Sequence, residues 1–134
     1  MKFLLKHLRL SAFALTLSLG LPASAADFTA LGEQAIFQVT LTSLSGDLKI
    51  GDFEEFEIAI VDSSGAPVAG ATVVFSGGMP GHGHGFPTAP TVSEIGGGLY
   101  KLEGVKFSMG GAWEINLTIS ADSKTDTASV QIEM

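Results

Sequence analysis

The sequence predicts an all-β protein, an immunoglobulin-like antiparallel β-sandwich of about seven strands. Three observations carry that expectation. Apolar and polar residues alternate with period two over several long stretches, Gly, Pro, Asp and Ser clusters separate them, and no window after residue 25 holds a useful 3.6-residue period.

Taken in chain order, the first segment reads as an export signal rather than as part of the fold. Residues 1–9 carry Lys2, Lys6 and Arg9, an apolar run follows over 10–21, and Ala23-Ser24-Ala25 supplies the small residues of a cleavage site. Cleavage after Ala25 leaves residues 26–134, a single domain of 109 residues. Residues 26–33 read as a loose lead-in. Strands are then expected near 35–43, 53–62, 71–76, 91–95, 99–107, 112–120 and 126–133. Phe37, Val39 and Leu41 alternate with polar neighbours, as do Phe56, Ile58 and Ile60, then Trp113, Ile115, Leu117 and Ile119, and lastly Val130 and Ile132. One face of each such strand belongs in a core and the other in water. Between the second and third strands, Asp62 to Val73 has the text of a strand-turn-strand corner, with Gly65 suited to a turn and Pro67 to a sheet edge.

Charge and composition exclude several function classes. Removing the signal takes away three of seven basic residues, leaving four Lys against fourteen acids and a formal charge of −10 instead of −7. Nucleic acid, which is bound chiefly through Lys and Arg on phosphates, is a poor partner for such a chain. After signal cleavage no apolar stretch reaches the ~18 residues of a membrane span. With no cysteine, the chain has neither disulfides nor thiolate metal sites. The expected compartment is the periplasm and the expected state a monomer or weak dimer.

One segment departs from the strand pattern. Residues 77–90 read Gly-Gly-Met-Pro-Gly-His-Gly-His-Gly-Phe-Pro-Thr-Ala-Pro, a composition unsuited to regular strand or helix. His82 and His84, the two histidines beyond the signal, lie here with Met79 just before them. A wide, solvated turn accounts for the glycines and prolines; the methionines tilt the reading towards metal. Thioether and imidazole together suit copper, because soft sulfur favours Cu(I) while imidazole holds either Cu(I) or Cu(II). Zinc rarely takes Met, and no Asp or Glu between Asp62 and Glu94 offers oxygen to calcium or magnesium. Met109 joins the set by counting reversals. If 91–95 and 99–107 form a hairpin at Gly96-Gly97-Gly98, the turn Ser108–Gly111 returns to the end where the histidine segment begins. Trp113 reads chiefly as core, and Thr88 as a residue able to hydrogen-bond a ligand histidine.

Met79-Pro80-Gly81-His82-Gly83-His84-Gly85, then Pro87-x-x-Pro90, Gly98-x-Tyr100 and Phe107-x-Met109-x-Gly111-x-Trp113-Glu114, resembles the YtkA-like domain family, which is similar to the FixH proteins of cytochrome oxidase biogenesis. The resemblance implies an immunoglobulin-like or cupredoxin-like sandwich, exported or membrane-tethered, with a role in copper handling. By matching positions it implies Met79, His82, His84 and Met109 as ligands. The expected function is that of a periplasmic copper-binding protein, a chaperone, carrier or buffer favouring Cu(I) with Cu(II) as second choice. Its partner would be a protein that donates or receives the ion. The alternative is a non-catalytic immunoglobulin-like interaction or adhesion module whose Phe86 and prolines form a contact surface. An enzyme is not expected: there is no Cys nucleophile, no Gly-x-Ser-x-Gly elbow and no carboxylate placed to orient a histidine within the segment.

Overall fold

The computed structural model describes residues 25–134, so the export signal expected over 1–25 lies, apart from Ala25, outside the described residues. Nine strands occupy the described chain: β1 Asp27–Leu31, β2 Phe37–Ser43, β3 Phe53–Asp62, β4 Thr72–Met79, β5 His84–Gly85, β6 Thr91–Gly96, β7 Leu99–Lys106, β8 Ala112–Ala121 and β9 Lys124–Glu133. They form two sheets, ordered β1-β2-β3-β7-β6 and β5-β4-β8-β9, with every pair antiparallel. Among the described residues no helix is long and apolar enough to cross a membrane.

Period-two alternation sorts the side chains as expected. Val39, Leu41, Phe56, Ile58, Ile60, Leu102, Trp113, Ile115, Leu117 and Ile119 are all fully buried and fill the space between the sheets. Removing any of these large side chains to Ala would cost about 2–5 kcal/mol, through lost transfer energy and the cavity left behind. Tyr100 is also buried, and its hydroxyl donates to Val68 O at 2.8 Å while accepting from Ala71 N–H at 2.9 Å. That pair of bonds pins the corner between β3 and β4.

Three expectations need correction. Residues 26–33 are not a loose lead-in: β1 pairs with β2 from Asp27↔Thr42 to Leu31↔Gln38. Phe28 and Ala30 alternate inward but only half-bury, as befits an edge strand, so the apolar signal is faint. The second correction concerns the start of β2, which lies at Phe37 because Ala35 takes a positive φ of 55° within the preceding turn. The third concerns 77–90, which is more regular than its composition suggests. β4 continues to Met79, Pro80–His82 makes one 3-10 turn, and His84–Gly85 pairs back onto β4.

The reversals place the candidate donors at one end. Gly78 lies opposite Glu114, so the last residues of β4 sit beside the first of β8. β6 and β7 are antiparallel partners joined at Gly97-Gly98, and β7 ends at Lys106, just before the Met109 turn. The hairpin on which the parity argument depended is present.

Candidate metal centre

The site is built from a tight fold-back of β4. At Gly78, φ is 153° and a Cβ would stand 2.3 Å from His84 O, so only glycine lets β5 approach. Gly83 closes the 3-10 turn in the left-handed region at φ 68°, its N–H reaching Met79 O at 3.0 Å. Pro80 stands where the first turn needs no donated N–H. The outcome is a direct cross-strand pairing of Met79 with His84, which puts the two side chains on one face of the β4–β5 ladder.

Both imidazoles are exposed, and their ring centroids lie 5.9 Å apart. Two imidazoles that share one ion at about 2.0 Å per metal–nitrogen bond have centroids roughly 5–6 Å apart, so the spacing fits a shared ion. His84 Nδ1 lies 2.9 Å from Gly85 O; donating there fixes the tautomer and leaves Nε2 as the free lone pair. Among the described residues no three His, Asp or Glu side chains gather to hold a metal.

The two thioethers differ in setting. Met79 is buried, and its Cε lies 2.9 Å from the point where a Cβ on Gly111 would stand. Its side chain therefore runs from the histidine fold-back to the Met109–Gly111 turn. Met109 itself is 41% exposed at the tip of that turn. Two backbone bonds, Gly111 N–H to Met134 O at 2.9 Å and Met134 N–H to Gly111 O at 3.0 Å, tie the turn to the end of β9.

Trp113 belongs to the core, as expected, and to the site as well. It is fully buried, packs on Phe86 at 4.8 Å and Phe107 at 5.5 Å, and meets the His84 ring edge-on at 5.9 Å between centroids. Phe86 is half-buried among Phe75, Phe107 and Trp113, so it braces the fold-back from beneath. Thr88 does not serve a histidine: its hydroxyl donates to Gly104 O at 2.6 Å and anchors the descent to β6.

One neighbour escaped the sequence reading. Met79, Pro80, His84, Glu114 and Asn116 line a single cleft of about 280 Å³. Glu114 accepts from Asn116 Nδ2 at 2.8 Å and from Gln131 Nε2 at 2.7 Å, and these bonds, Asn116 first, hold its carboxyl below the ordinary range. A fixed anion thus lines the same cleft as His84. The alternation of β8 already turned Glu114 outward; the register against Gly78, which brings it to the cleft, was not visible.

Neither the search of curated proteins nor that of solved structures returned a match. The YtkA-like family does match, over residues 33–118, a span that starts well before the histidine segment and contains all four candidate donors. The chain belongs to the YtkA-like family.

Proposed function

We propose that this protein is an exported, periplasmic copper-binding protein that acts as a chaperone, carrier or buffer. The observation that supports the reading best is the pairing of Met79 with His84, with the His82 ring 5.9 Å away and the Met109 turn at the same end. Copper is the cargo. His84 Nε2 and an imidazole nitrogen of His82 would hold either valence, and the thioethers favour Cu(I). Exposed imidazoles on a glycine-rich turn allow a partner's ligands to replace them one at a time, as transfer requires. The formal charge of −10 beyond residue 25 raises local cation concentration and draws basic partner faces, an effect that salt weakens.

Titration of the purified protein with Cu(I) under a competing chelator tests this. One ion should bind more tightly than micromolar, and His82→Ala, His84→Ala and Met109→Ala should each weaken it. No affinity tighter than micromolar refutes the proposal.

A non-catalytic interaction module is the second reading, and one observation favours it. Leu44, Ile50, Phe53 and Met109 are large apolar side chains left exposed at the end that carries the histidines. A contact surface of that kind works without metal. Copper that binds the native state must raise the melting temperature, whereas a plain interaction module melts unchanged.

A further inference from the structure

We infer that Trp113 is the positioning residue of the Met109 turn, a side chain whose indole N–H decides how firmly that thioether enters the coordination. The inference rests on the copper reading above. A buried position at the start of β8 needs apolar volume, which Phe would also supply. What Phe lacks is the indole N–H. In the structure Trp113 Nε1 donates to Met109 O at 3.0 Å, the backbone of the exposed turn that carries the second thioether. The same ring also meets the His84 imidazole, with centroids 5.9 Å apart at an interplanar angle of 72°. Phe86 and Phe107 hold the indole from the core side, so the ring itself is fixed.

The consequence is selective. Without the N–H, the Met109 turn keeps its tie at Gly111 and Met134 but loses the bond at Met109 itself. The β4–β5 pairing and the His84–Gly85 hydrogen bond do not involve the indole nitrogen. The Met109 sulfur should therefore be loosened while Met79 and the imidazoles stay in place. Cu(I), which leans on sulfur, should suffer, and Cu(II), which is satisfied by imidazole, should not.

The experiment is a double-mutant cycle on the purified protein with Trp113→Phe, Met109→Ala and the double variant, titrated separately with Cu(I) and Cu(II). Metal-free melting curves confirm that each variant is folded. Trp113→Phe should weaken Cu(I) by about tenfold, the scale of losing a partner that orients a ligand, and change Cu(II) by less than about threefold. The double variant should bind Cu(I) no more weakly than Met109→Ala, because the tryptophan acts through that methionine. Unchanged Cu(I) affinity in Trp113→Phe, equal losses for both ions, or additive losses in the double variant would overturn the role. A wild-type protein that binds neither ion would instead refute the copper reading itself, and the role with it.

Discussion

The two ends of the sandwich differ in what they leave unspent: each has a buried carboxylate tied to backbone, Asp126 at one and Glu54 at the other, but the histidine end also carries exposed imidazoles. At the end that holds the β1–β2, β6–β7 and β8–β9 turns, side-chain oxygens are spent on the backbone. The buried Asp126 carboxylate accepts from Gln34 and Ile36 at 2.9 Å, from Thr127 at 3.0 Å and from Phe37 at 3.4 Å. Tyr100 is consumed in the same way by Val68 and Ala71. The histidine end also spends side chains on backbone: the buried Glu54 accepts from Lys49 N–H at 2.9 Å, Thr88 donates to Gly104 O and Trp113 to Met109 O. The histidine turn itself, however, is held by glycine fold-backs, an aromatic bed and short backbone bonds. Its imidazoles stay exposed, and His84 gives only Nδ1 to the fold. A group whose lone pairs are all engaged holds structure; a group with a lone pair to spare can hold something else.

That contrast can be broken most sharply at Asp126. Asp126→Ala would leave several backbone N–H groups without partners in a buried place, and should cost about 3 kcal/mol in denaturant unfolding. Copper affinity, which the proposed function assigns to the far end, should not change. The same carboxylate carries a pH signature. Burial pushes its pKa up, but the four backbone donors together outweigh burial and hold it below the ordinary value. The folded state then binds fewer protons, so the stabilisation is complete above about pH 3.9 and fades as pH falls through the lower folded value. Asp126→Asn should flatten that acid limb in melting curves taken from pH 5 downward.

Gly78→Ala attacks the other end. A Cβ there meets His84 O and Gly85 Cα, so the β4–β5 pairing should open and strain should cost about 1–3 kcal/mol. Copper binding should weaken with it, which Asp126→Ala should not do. Thr88→Val is the smallest change. It removes one hydroxyl bond to Gly104 O, and a stability loss of about 1 kcal/mol with little change in copper affinity is expected.

Much of this was legible because it follows from alternation. Trp113 to Ile119 reads in and out along β8, and that stripe became the floor of the core. Met109 was placed by direction alone, since an even number of reversals returns the chain to the same end. What failed to show was set by partners rather than by local pattern. β1 is an edge strand whose inward residues, Phe28 and Ala30, half-bury, and β5 is too short to show a period. Glu114 reaches the cleft by register against a glycine. The burial of Met79 and the service of Thr88 to Gly104 depend on how β4 folds back, which composition reported only as an irregular segment.

Spare lone pairs at one end should leave a direct signature in two-dimensional NMR of the purified protein titrated with Cu(I) under anaerobic conditions. At one equivalent, backbone and imidazole signals of Met79–His84 and of Met109–Trp113 should shift together, and those around Asp126 should stay still. Shifts centred on the Asp126 end, or none at either end at saturating copper, would contradict it.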